Sequence, residues 1–345
     1  MKRWFLTAAL MIMLVSAPGY GLATEQWKLA RFSFSSGWDA LPAIVAIERG
    51  FFAQEGLVIS GLPIPSAEAV TTSLAQGSTD FAAVPQRTLL AMAGAQLPVK
   101  VISMNGWGTE LELVVPKEDE QVRSVADLKG KTIAVGVASE AYPALIRLLN
   151  KSKLRPSDVK IKTLPAETLT HALGPKDRQA DAVFESRHFT MVFSKNGTGR
   201  VIMSSKDVVD KLGLIAATPV LTRNDMLEKE PETVQRFATA WIKALQYIKQ
   251  DPDDAARLLM IFFHRQGVRS VSEELTKSWI GMTHYDRFVW TSTDIADAEY
   301  NGWGLKEGGL LKTTPKLDGY IENRFAQAAI DKLSVAGPVK SNVRP

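Results

Sequence analysis

Residues 140–149, EAYPALIRLL, begin with a carboxylate, place a proline three positions on, and then run apolar at helical spacing. A helix N-terminus offers unpaired N–H groups and partial positive charge, so it ordinarily receives an anion. Here a glutamate already stands at that place. The stretch has a counterpart 101 residues earlier, where Asp39-Ala40-Leu41-Pro42-Ala43-Ile44 lines up with Glu140-Ala141-Tyr142-Pro143-Ala144-Leu145. AEAVTTSL at 67–74 returns as AETLTHAL at 166–173, and Asp80 falls on Asp181, again 101 positions on. Convergence of generic α/β patterns is the competing reading. Three matches in one order at nearly one offset favour two lobes of like topology.

The surrounding pattern agrees. Ala30, Phe32 and Phe34 alternate as a strand does, and Leu41, Ile44, Val45 and Glu48 follow at helix spacing up to Gly50, a glycine cap. A strand at 57–59, a helix opened by Ser66 and closed by Gly77, and a strand at 80–84 follow. The second round has strands at 132–135, 159–164 and 181–185 and helices at 142–151 and 166–173. Strands alternating with helices of this length indicate parallel βαβ units. Beyond Leu214 helices dominate. One carries Val234, Phe237, Trp241, Ile242, Leu245 and Ile248 on one face, and others are expected at 253–263, 272–282 and 316–333. The tail from Gly337 reads as disordered.

Composition narrows the class. Lys2 and Arg3, an apolar run from Trp4 to Ala17, and Gly21-Leu22-Ala23 read as a signal peptide over 1–23, too short for a comfortable membrane span. The chain has no cysteine, which excludes disulfides, a thiolate nucleophile, thiolate metal ligation and lipid attachment to an N-terminal cysteine. Without Lys2 and Arg3, 39 of the 41 basic residues remain against 37 acidic ones, a net charge of about +2. That balance gives no electrostatic case for nucleic acid.

Open α/β sheets bind ligands outside the carboxyl ends of their strands, and two facing lobes would put Asp39 and Glu140 on opposite walls of one cleft. Pro42 and Pro143 lack an N–H and must lie in the first helical turn. With the prolines at the third helical position, Asp39 and Glu140 become N-caps, and the plainer reading is that each only satisfies its own helix. Either way they fill the slot an anion would take, which favours a neutral or cationic, N–H-rich ligand. Further cleft candidates are Ser35 and Trp38 in the polar stretch SFSSGWD, Ser66 as a cap, Gln86, Trp107 in NGWGTE, Ser139, Tyr142 and Glu185. Packing or capping is the alternative for each.

Apparent catalytic signals fail. GKT at 130–132 lacks the phosphate-loop glycine, since Val125 stands there, and Ser139 lacks the flanking glycines of a nucleophile elbow. His171, His188, His264 and His284 have no metal-ligand spacing. No catalytic residue, metal or cofactor is expected.

ALPAIVAIERGFFAQEGLVI (40–59), SAEAVTTSLAQGSTDFAAVP (66–85) and DLKGKTIAVGVASEAYPALIRLL (127–149) resemble the periplasmic solute-binding proteins of ABC importers. The branch is the one taking up nitrate, sulfonates, taurine and thiamine-type pyrimidine precursors. VLTRNDMLEKEPETVQRFATAWIKAL (220–245) resembles that family's return to the first lobe. The resemblance implies an α/β, two-lobe periplasmic-binding-protein fold with two crossovers, near 110–116 and 214–222. Each lobe would be a mainly parallel sheet flanked by helices, with a helical C-terminal portion. It implies a first lobe of 24–112 and 218–345, a second of 113–217, and ligand held where loops before the helices meet. It also implies a periplasmic monomer that delivers a small molecule to an ABC permease with its ATPase, without stable membrane insertion. Glu140 departs from the anion-binding members and moves the expected ligand toward a nitrogenous, pyrimidine-like solute, with sulfonate, taurine or nitrate as the alternative. A cofactor-biosynthesis enzyme of the same fold and a ligand-binding sensor partner are the rival classes. Such an enzyme needs a cysteine-rich motif or reactive histidine and works in the cytosol.

The mature chain is expected to begin near Thr24. N-terminal sequencing of exported protein checks this, and exported material that still begins at Met1 contradicts it.

Overall fold

The computed structural model describes residues 27–34, 39–64, 66–108, 110–136, 139–176, 178–212 and 216–336. The first lobe opens with β1 (Lys28–Phe34), α1 (Leu41–Glu48), α2 (Phe51–Gln54), β2 (Leu57–Pro63) and α3 (Ala67–Ala75). It continues through β3 (Phe81–Ala83), α4 (Gln86–Gly94) and β4 (Val99–Gly108). The second lobe contains β5 (Leu111–Pro116), β6 (Thr132–Gly136), α5 (Ala141–Lys151), β7 (Lys160–Leu164), α6 (Ala166–Leu169), β8 (Ala182–Ser186), α7 (Arg187–Lys195), β9 (Gly199–Met203) and α8 (Ser205–Leu212). The chain then returns through β10 (Ala216–Arg223) and adds α9 (Asn224–Lys229), α10 (Pro231–Gln250), α11 (Pro252–Arg265), α12 (Glu273–Ile280), α13 (Ser292–Glu307) and α14 (Arg324–Ala336).

The two sheets have one topology. The first runs β2-β1-β3-β10-β4 and the second β7-β6-β8-β5-β9. In each, the strand arriving from the other lobe lies fourth and antiparallel to its neighbours, β10 against β3 and β4, β5 against β8 and β9. Strand pairing puts Leu111 and Glu112 in the second sheet and Ala216 and Ala217 in the first, a small correction to each lobe boundary read from the sequence. The repeat also holds atom by atom. Asp80 Oδ2 accepts from the Arg31 N–H at 2.9 Å, and Asp181 Oδ2 accepts from the Thr132 N–H at 2.7 Å. Asp80 thus pins the head of β3 to β1 and Asp181 the head of β8 to β6, the two aspartates standing 101 residues apart.

Apolar residues at strand and helix periods build a core on both faces of each sheet. One face of the first sheet meets α1, α10 and α11 through Phe32, Phe34, Phe81, Phe237 and Trp241. Phe237 and Phe81 stack with ring centroids 3.9 Å apart, and Trp241 donates its indole N–H to the Met104 carbonyl. The other face meets α3, α4 and α13 through Val70, Leu74, Leu89, Leu90, Ala298 and Leu305.

Two expectations fail in the C-terminal portion. The helix expected over 316–333 starts only at Arg324, because Tyr320 and Glu322 are hydrogen-bonded to the backbone of Val101 on β4. Helix α13 has no counterpart in the sequence reading. Its inward positions are Asp294, Ala298, Asn301, Gly302, Gly304 and Leu305, so no stripe of large apolar residues marks it. Helix α6 is also shorter than the expected 166–173.

Phe237→Ala removes the ring at the centre of the first-lobe core. Denaturant unfolding should show a loss of about 3–5 kcal/mol; an unchanged midpoint contradicts this packing account.

Candidate functional site

The carboxyl ends of β6 and β8 and the start of α5 form the second-lobe wall. Glu185, 1% exposed, accepts from the Gly136 N–H at 2.7 Å, the Ser139 hydroxyl at 2.7 Å and the Ser186 N–H at 2.9 Å. Ser139 Oγ in turn accepts from the Ala141 N–H at 3.0 Å. A Cβ at position 136 would stand 2.8 Å from Glu185 Oε2 and 3.2 Å from Ser139 Cβ, so any side chain there would displace this brace. Glu185 and Ser139 therefore brace the wall, and α5 takes its cap from Ser139.

Glu140 does something other than cap its own helix. Its backbone is already helical (φ −61°, ψ −21°), and its side chain makes no cap bond to α5. Oε1 accepts instead from the backbone N–H of Arg87 at 3.1 Å, at the start of α4 in the first lobe. Pro85, before α4, provides no side-chain cap. A second-lobe carboxylate thus caps a first-lobe helix, and the two lobes are joined at that bond. The residue keeps partial exposure, but its carboxyl end is enclosed by both lobes. Burial pushes its pKa up, the Arg87 N–H opposes the shift, and the Glu185 charge adds to it.

Asp39 also departs from the cap reading. Pro42 is the second residue of α1, and Ala40 holds the cap position. Asp39 is buried, its carbonyl accepts from the Asn105 amide at 3.3 Å, and its charge bears on Tyr285. Ser66 caps α3 through the Ala69 N–H at 3.2 Å. Gln86 is fully buried, donating to the Ala217 carbonyl at 3.1 Å and accepting from Asn301 at 2.7 Å. Trp107 stacks on His284 with centroids 4.3 Å apart, donates to Asp286, and lines a separate cavity of about 350 Å³ with Arg187 and Lys206. Ser35 and Trp38 lie outside the described residues.

A cavity of about 340 Å³ lies between the lobes. Glu68, Arg87 and Ala91 come from the first lobe and Gly136, Ser139, Tyr142 and Thr163 from the second. Leu305, Leu310 and Leu311 of the C-terminal portion supply an apolar wall. The structure thus brings Ser139 and Tyr142 to one cavity beside Glu140, and places Trp107, Gln86 and Asp39 elsewhere. Burial raises the Tyr142 phenol pKa and keeps it a hydrogen-bond donor.

The sequence reading missed Arg87. Arg87 lines the cavity, and among the described residues its guanidinium makes no hydrogen bond or ion pair. Its charge helps hold the Glu68 carboxyl below the usual range, after that group's own backbone bond and Ser66. A cation in the first turn of a helix opposes the helix dipole. That local conflict, in VPQRT, was the available signal.

Two like lobes joined by two crossovers with a shared cavity, mostly apolar and edged by a few polar groups, are the architecture of a hinged small-molecule binder. The chain belongs to the NMT1/THI5-like family, whose model matches residues 38–255. It is 27% identical over 217 residues to the taurine-binding periplasmic protein of Escherichia coli strain K12, a match covering 62% of this chain and 65% of that relative, just under two thirds of its length. The crystal structure of the periplasmic aliphatic sulphonate binding protein SsuA from Escherichia coli superposes with a TM-score of 0.70 at 15% identity, covering 85% of this chain and 97% of that one. The desulfurization enzyme DSZB superposes with a TM-score of 0.65 at 14% identity, covering 88% and 99%. These likenesses establish the periplasmic-binding-protein fold. Among the described residues no helix is long and apolar enough to cross a membrane.

The Glu140 shift has a definite pH sign. A carboxyl whose folded pKa is raised contributes fully in acid, below its unfolded pKa, and loses that contribution as pH rises through the raised value. Ligand-free wild type should therefore lose stability relative to Glu140→Gln as pH rises, and the two should converge in acid. Urea midpoints across the acid-to-neutral range test this; a gap that widens toward acid contradicts it.

Proposed function

We propose that this chain is the substrate-binding component of an ABC importer, capturing a small nitrogen-containing organic solute between its lobes for a membrane permease with its ATPase. The observation that carries the reading is the interlobe cavity itself, with Glu140 of one lobe bonded to Arg87 of the other at its edge. The chain acts beyond the inner membrane, after loss of its leader, and its lobes close about the two crossovers.

The charges beside the cavity select the ligand. Glu140 uses one carboxylate oxygen on the Arg87 N–H, and that is its side chain's sole hydrogen bond among the described residues. A buried carboxylate near a second one, Glu185, gains from an ammonium or N–H group brought by a ligand. The Arg87 guanidinium asks for the opposite, an oxyanion or other strong acceptor. A ligand with an amine at one end and an acidic group at the other satisfies both. The sequence reading placed only the first requirement, and Arg87 restores weight to an aminosulfonate of the kind named for the taurine-binding relative. The leucine wall accommodates a short carbon chain.

The reading of binding rather than turnover is supported by the lack of cysteine and by the engagement of His264 with the Val271 carbonyl at 2.8 Å. The enzyme reading draws its support from DSZB sharing the fold.

Titration calorimetry with taurine, ethanesulfonate and ethylamine tests the ligand class. Taurine should bind most tightly, and Glu140→Gln should weaken it about ten- to hundredfold while sparing ethanesulfonate. Arg87→Gln should weaken taurine and ethanesulfonate alike. Equal affinity of taurine and ethanesulfonate for wild type, or recovery of chemically altered ligand, contradicts the proposal.

A further inference from the structure

Helix α13 belongs to the first lobe by its packing. Ala298 and Leu305 enter the core with Leu89 and Leu90 of α4, and Glu299 accepts from the Leu317 N–H at 2.9 Å. Yet α13 also lies directly on α5 of the second lobe. Its glycines allow that approach: a Cβ at position 304 would stand 3.2 Å from both the Cα and the carbonyl oxygen of Pro143. One at position 308 would come within 2.8 Å of the Tyr142 hydroxyl.

At the centre of this contact is Arg147 of α5, 4% exposed. It donates to Asn301 Oδ1 at 3.0 Å and to Asp297 Oδ1 at 3.2 Å, and its guanidinium lies 4.5 Å from the centroid of the Tyr300 ring. Asn301 passes the connection on, donating to Gln86 Oε1 at 2.7 Å, and Gln86 donates to the Ala217 carbonyl at 3.1 Å. Arg147, Asn301 and Gln86 are all buried. An unbroken line of buried hydrogen bonds thus runs from the second lobe, through α13, to the strand that carries the chain back across the hinge.

From this geometry we infer that α13 is an interlobe strap that holds the two lobes together without any ligand, with Arg147 as its fastening. Opening the cleft separates α5 from α4. With α13 fixed on α4 and β10, the motion must part Arg147 from Asp297, Asn301 and Tyr300 and lift Pro143 and Tyr142 off the glycines. Binding that needs the closed arrangement is weakened by the fraction of molecules that are open, so Arg147 sets affinity from outside the cavity lining. The inference stands whatever solute the cavity takes.

The natural absence of cysteine permits a clean test. Spin labels at Ile47→Cys on the first lobe and Lys195→Cys on the second report the interlobe distance of the full chain by pulsed electron resonance, with no ligand added. The labelled parent should give one narrow distribution. Arg147→Met should raise the open, longer-distance population about tenfold or more, and Arg147→Lys should fall between. Gly304→Val wedges the same contact without changing charge and should also open the lobes. It provides the readout if Arg147→Met fails to fold. Folded variants that keep the parent's distribution, or a parent already dominated by the long distance, overturn the strap.

Discussion

The hydrogen bond from the Arg87 N–H to Glu140 is the interaction on which the site depends. A helix N-terminus leaves N–H groups that must find acceptors, and α4 has only Pro85 before it. Glu140 meets that need from the other lobe. It can do so because Ser139, held by Glu185, has already taken over the capping of α5. One small polar brace thus frees a carboxylate to reach across the cleft, and the glutamate at the head of EAYPALIRLL meets a helix that is not its own.

That arrangement explains why the anion-binding end of α4 is filled while a cation beside it stands open. The backbone N–H is engaged by Glu140, and Arg87 itself lines the cavity. Carboxylate and guanidinium come from facing lobes beside one cavity, and a dipolar solute carries a charge for each. Without a ligand, Glu140 bears the cost of burial beside Glu185, and its raised pKa records that cost.

Much of the architecture was legible because two copies of one pattern reinforce each other. The alternating β1, the Ser66 cap and the aspartates at 80 and 181 each stand on local chemistry, and the internal repeat linked them. The site was less legible because its selection depends on partners remote in sequence. Glu185 and Ser139 carry cleft-like residue types but spend their hydrogen bonds on the loop. Gln86 spends its own on the lobe interface. Helix α13 escaped because its buried face is built of small and polar residues, the same choice that lets it lie on α5. The helix expected from Lys316 begins late because residues near 320 are held by the β4 backbone, a tertiary contact without local trace.

A crystal structure of the protein grown with taurine tests the central claim most directly. The account predicts one ligand molecule touching both lobes, its acidic group on the Arg87 guanidinium and its amine facing Glu140. Density confined to one lobe, or to the cavity beside Trp107 and His284, would contradict it.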